Sequence, residues 1–129
     1  MAAAKIVFEV KTMKNLSYII LDGNLTQDPE KKNTSHGKSV TNFTVAVNHI
    51  ASSGDEKEQD DVSFFDIEAW EKMGENCAEY LKKGSKVTVI GNLKQSRWKT
   101  NEGENRSKVK VVATSVRFDS QKRKESKAA

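Results

Sequence analysis

Between Val62 and Trp70, Phe65, Ile67 and Ala69 occupy one parity of the chain, while Phe64, Asp66, Glu68 and Trp70 occupy the other. A period of two is what a strand shows when one face enters a core and the other does not. The same period runs through Leu16 to Leu25, with Ile19, Leu21, Gly23 and Leu25 in step, and through Val40 to Asn48, with Phe43, Val45 and Val47 in step. Gly23 inside the first of these runs predicts a bend or bulge. After Trp70 the period lengthens: Met73, Cys77 and Leu81 recur at helical spacing over Glu71 to Leu81, and Gly84 follows Lys82 and Lys83 as a stop signal. Lys86 to Lys99 and Arg106 to Phe118 return to strand character, with Val87, Val89, Val109, Val111, Val116 and Phe118 as apolar partners across a turn at Thr100 to Asn105.

The resulting order is strand, strand, strand, short helix, strand, strand. This predicts an all-β protein: a five-stranded OB-fold barrel with one short helix between strands 3 and 4, an order that other small barrels share in large part. Two connections are polar. Lys31 to Ser39 reads as a turn or a long hairpin tip, and Ile50 to Asp61 as a solvated acidic loop. Before the barrel, Ile6, Phe8 and Val10 alternate and predict an edge strand or a subunit contact.

The length of 129 residues suits one domain with a modest core. Cys77 is the single cysteine, which excludes an internal disulfide framework and a cysteine-based zinc site. His36 and His49 stand in or beside separate loops without ligand spacing, and neither a metal, a cofactor nor a catalytic constellation is expected. No apolar run is long enough to cross a membrane as a helix, and the first residues lack the pattern of a secretory signal, so a cytoplasmic protein is expected.

Charge is divided unevenly. From Lys82 to Ala129 there are 14 Lys and Arg against 4 Asp and Glu, whereas from Met1 to Leu81 there are 8 against 14. Within the basic half, Trp98 is flanked by Lys94, Arg97 and Lys99, and Arg106, Lys108 and Lys110 follow across the turn. A planar ring among cations suits a flexible polyanion with exposed rings, above all single-stranded nucleic acid. The alternation of Arg106, Lys108 and Lys110 reads equally well as a solvated strand edge, and Lys82 and Lys83 as favourable charges at a helix terminus. On Val62 to Trp70, Phe64 and Trp70 share the outward parity about 20 Å apart, with Asp66 and Glu68, which should repel phosphate, between them.

Four blocks carry a resemblance. They are Gly23 to Glu30; Asn42 to Asn48; Trp70 leading to Glu75, Asn76 and the run Tyr80 to Ser85; and Gly91 to Leu93. In this order and spacing, from about Leu16 to Phe118, the chain resembles the bacterial single-stranded DNA-binding protein family. The resemblance implies an OB barrel assembled as a homotetramer, which binds single-stranded DNA without sequence preference in replication, recombination and repair. It places stacking rings at Phe64, Trp70 and Trp98, and a further stacking position, often aromatic in the family, at Ile50. Groove cations map to Lys94, Arg97 and Lys99, and to Lys72, Lys82 and Lys83 near the helix. It also implies three parts: an N-terminal extension over residues 1–15, the DNA-binding domain over 16–118, and a basic flexible tail over 119–129. Family members commonly end in an acidic tip that recruits partner proteins. This sequence stops at Lys122 to Ala129, so the resemblance does not extend to recruitment through such a tip. An RNA-binding or primosome-type OB protein, and an OB interaction domain without nucleic-acid activity, are the alternatives.

Overall fold

The computed structural model describes residues 15–49 and 61–119. Ile6 to Val10, most of the acidic loop and the chain beyond Asp119 lie outside the described residues. Among the described residues six strands and one helix follow in order: β1 (Tyr18–Leu25), β2 (Glu30–Asn33), β3 (Ser39–His49), β4 (Asp61–Trp70), α1 (Glu71–Tyr80), β5 (Lys86–Lys99) and β6 (Asn105–Phe118). The sheet runs β1-β5-β6-β4-β3-β2, and β1 pairs a second time with β3, which closes the barrel. The one parallel pairing joins β4 to β6, with Ile67 opposite Val111 and Glu68 opposite Val112. The five expected strands are all present, joined in the connectivity of an OB-fold.

One element differs from expectation. Lys31 to Ser39 is not wholly a turn: Glu30–Asn33 forms β2, an exposed strand laid antiparallel along the start of β3. Its residues carry no apolar alternation to announce a strand, because none of its side chains enters the core. The turn is confined to the residues after it, where the Thr34 N–H donates to the Lys38 carbonyl at 2.8 Å and Gly37 adopts a φ of 87°.

The barrel interior is filled by the in-step residues, among them Leu21, Leu25, Val45, Ile67, Val87, Val89 and Val111, all buried. Gly23, opposite Val87 on β5, stands where β1 gains its second partner: the next residue, Asn24, pairs with Lys86 on β5 and with Ala46 on β3. A methyl at Gly23 would run into the Ala46 carbonyl oxygen, so only hydrogen fits where the two strands converge.

α1 closes one side of the barrel through Met73, Cys77 and the following Leu81, packed on the core. Cys77 is fully buried, and burial pushes its thiol up to about 11, in keeping with a small apolar filler. The helix ends through extended backbone at Leu81 rather than at Gly84. Gly84, with a φ of 91°, instead shapes the turn in which the Ser85 N–H donates to the Lys82 carbonyl at 2.9 Å. Lys82 and Lys83 therefore stand in that turn and not in the last turn of the helix. Among the described residues no helix is long and apolar enough to cross a membrane.

Gly74 is buried where α1 meets the barrel, and a Cβ there would strike the Ala69 carbonyl oxygen and lie 3.0 Å from Thr41 Oγ1. In an exposed helix Gly→Ala stabilises by about 1 kcal/mol. Here the clash reverses the sign: Gly74→Ala is expected to lower stability by about 1–3 kcal/mol, measured as a fall in the urea midpoint.

Candidate nucleic-acid interface

The pleat of β4 that buries Ile67 and Ala69 turns Phe64, Asp66, Glu68 and Trp70 outward. Antiparallel pairing sets Thr44 beside Asp66 and Asn42 beside Glu68 on β3. On the other flank, β6 presents Lys108 and Lys110, and β5 adds Ser96 and Trp98, since Ser96 stands opposite Lys108 and Trp98 opposite Arg106. Together with the β1–β2 connection, these strands line an open trough of about 480 Å³ on the barrel's outer wall.

Trp98 lines this trough, and Phe64 and Trp70 flank it on β4. Phe64 is 64% exposed and Trp98 48% exposed. Trp70 is half-buried, and its indole Nε1–H donates to Glu68 Oε1 at 3.0 Å. One face of Trp70 borders a second concavity of about 430 Å³, shared with Thr34, His36 and Lys38 from the β2–β3 turn and with Glu71. The three rings thus lie along one surface: Phe64 toward the start of β4, Trp70 at its end, and Trp98 across β6 on the β5–β6 hairpin.

The carboxylates between the rings are not bare. Asp66 forms an ion pair with Lys108 and accepts a hydrogen bond from Thr44 Oγ1 at 2.9 Å. Glu68 accepts from Lys110 Nζ at 2.8 Å through the oxygen that Trp70 leaves free. Desolvation alone would raise the Asp66 pKa. The hydrogen bonds from Lys108 and Thr44 and the charge of Lys108 outweigh it, and the carboxyl is held below its ordinary 3.8.

The expected cations divide between two faces. Lys94 stands opposite Lys110 and shares the parity of Trp98. Arg97 and Lys99 alternate to the other side of β5, where the Arg97 guanidinium donates to Gln95 Oε1 at 2.7 Å. Both nevertheless border Trp98 around the hairpin, with Asn105, Arg106 and Ser107, in a shallow concavity of about 410 Å³. Lys72 is exposed on α1. The backbone N–H of Lys83, next to Lys82, donates at 2.8 Å to Asp28, a residue of the trough. Ile50 lies outside the described residues.

Lys108 and Lys110 are trough residues for which the sequence left two readings open, cations beside Trp98 or a solvated edge. Their alternation was legible, but the face it serves depends on the β4–β6 pairing, which joins residues some forty positions apart.

The closed barrel, its strand order and its short helix between β4 and β5 define an OB-fold protein. The chain belongs to the single-strand binding protein family, whose model matches residues 16–119. It is 45% identical over 106 residues to the single-stranded DNA-binding protein of Treponema pallidum, an alignment covering 82% of this chain and 59% of that protein. Identity to the protein of the same name from Halalkalibacterium halodurans is 40% over 104 residues, covering 80% of this chain and 60% of that one. For the Thermotoga maritima protein of that name it is 38% over 106 residues, covering 82% and 75%. The chain thus spans about three-fifths of the length of the first two relatives.

Because the folded-state pKa of Asp66 lies below 3.8, the stability contributed by its pair with Lys108 is whole above that value and is lost as pH falls through the depressed one. Carboxyl NMR titration is expected to give an Asp66 midpoint below 3.8, and Lys108→Ala is expected to move it upward.

Proposed function

We propose that residues 16–118 form a domain that binds single-stranded DNA without sequence preference, and that the protein acts by binding rather than by catalysis, coating DNA exposed in replication, recombination and repair. The observation that carries this reading is the joint exposure of Phe64 and Trp98 on the trough face, with Trp70 on the same surface. An unpaired base has two free π-faces and can stack on such a ring whatever its identity. In a duplex those faces are already occupied, which discriminates against double strands. Each stacked base contributes about 1–3 kcal/mol, a value established on proteins of this kind rather than obtained from this chain.

Phosphates are then held at the cationic margins, by Lys94, Arg97 and Lys99 around Trp98 and by Lys72, Lys82 and Lys83 beyond the trough. Family membership supports DNA as the ligand, and the relatives carry that ligand in their names. The working assembly is a homotetramer in the cytoplasm, at the nucleoid. Support for subunit contact comes from Leu16, Tyr18 and Ile20, which repeat on one parity at the start of the barrel and are 88%, 55% and 64% exposed.

Intrinsic tryptophan emission, titrated with polythymidine, a matched RNA and a duplex, tests the reading. Strong quenching by the single-stranded DNA is expected, with affinity falling as salt rises by about 0.7 in log K per log salt for each phosphate contacted. Trp98→Ala is expected to weaken binding by about 1–3 kcal/mol. Tighter binding of RNA would favour an RNA-binding OB protein, equal binding of duplex a generic basic surface, and no response at all an interaction domain.

A further inference from the structure

The trough carries more negative charge than a phosphate-binding groove calls for. Asp28, Glu30, Asp66 and Glu68 line it, against Lys108 and Lys110. Both lysines are already engaged: Lys108 with Asp66, and Lys110 with Glu68 at 2.8 Å. The second pair is the more enclosed, with side chains only 28% and 16% exposed, and Glu68 is further tied to the Trp70 indole. Each carboxylate thus occupies the position on its lysine that a phosphate oxygen would take, and offers the same charge-assisted hydrogen bond.

We infer that Asp66 and Glu68 are affinity-limiting residues of the interface, built-in competitors that a DNA phosphate must displace before Lys108 or Lys110 can hold it. This rests on the reading of the trough as a single-stranded DNA surface. The competition has two consequences. A lysine that exchanges carboxylate for phosphate leaves behind a carboxylate, which recruits a cation from solution. The exchange therefore releases little net salt and contributes little to the salt dependence of binding. In addition, the strand crosses β4 mainly by its bases, over Phe64 and Trp70, while its phosphates keep to the hairpin cations, where the ring contacts set the strength of binding. The same pairs hold the face in shape without DNA: Thr44 fixes Asp66, and Glu68 orients the Trp70 ring.

Neutral isosteres separate this role from a structural one. In Asp66→Asn the amide oxygen still accepts from Thr44, and in Glu68→Gln it still accepts from the Trp70 indole, but neither holds a lysine by charge. Binding of polythymidine is measured by fluorescence for the wild type, each variant, the double variant and Asp22→Asn, which removes a carboxylate from the exposed side of β1. Each groove variant is expected to bind roughly fivefold more tightly at low salt. Each is also expected to steepen the slope of log K against log salt by about 0.7, the contribution of one freed lysine. Asp22→Asn is expected to change affinity less than about twofold, the modest effect of a distant, screened charge. A structural role alone would give weaker binding and a lower melting temperature in both variants. If the wild type binds and neither groove variant binds more tightly or with a steeper slope, or if Asp22→Asn matches them, the inference falls while the DNA-binding reading stands. If the wild type does not bind polythymidine, both fall.

Discussion

The two-residue pleat of β4 is the constraint on which the rest depends, because one strand builds both the core and the trough. Ile67 and Ala69 are held inside by the barrel, and this fixes Phe64, Asp66, Glu68 and Trp70 outside. A slip of one residue against β3 would exchange the two sets, burying two carboxylates and expelling the apolar pair. Burial thus specifies register, and register specifies which side chains face outward. The rings are consequently offered on a sheet rather than on loops, which limits the conformational freedom they lose on stacking.

The barrel's closure adds what β4 lacks. The parallel contact of Ile67 with Val111 and of Glu68 with Val112 brings the basic half of the sequence against the acidic half, so that Lys108 and Lys110 find Asp66 and Glu68. Two charges of each half are in this way paired within the folded wall. What remains is an arrangement in which paired carboxylates and lysines line the trough with Trp98, while Phe64 and Trp70 flank them on β4 and Lys94, Arg97 and Lys99 lie toward the hairpin.

Most of the fold was legible because it depends on local periods. The alternation at Phe43, Val45 and Val47, and at Phe65, Ile67 and Ala69, located strands, and the spacing of Met73, Cys77 and Leu81 located the helix. Gly23 marked the point next to which β1 takes on a second strand partner. β2 escaped notice because a strand that buries nothing leaves no period in its residues. The stop at Gly84 misled because a glycine with positive φ serves a turn as readily as a helix end. In the site, the exposure of Phe64 followed from parity and that of Trp98 from its polar and cationic neighbours. The partners of Asp66 and Glu68 did not, since an ion pair across β4 and β6 is set by tertiary pairing that no short window contains. The same limit applies to Arg97 and Lys99, whose adjacency to Trp98 in sequence placed them on its other side in space.

Photo-cross-linking with bromodeoxyuridine in an otherwise polythymidine strand, followed by mapping of the adducts by mass spectrometry, tests the central claim most directly. Adducts are expected at Phe64, Trp70 and Trp98, on the outward parity of β4 and on the β5–β6 hairpin. Adducts confined to Tyr18 and Ile20 on the opposite wall, or spread over the surface without preference for the three rings, would contradict the account.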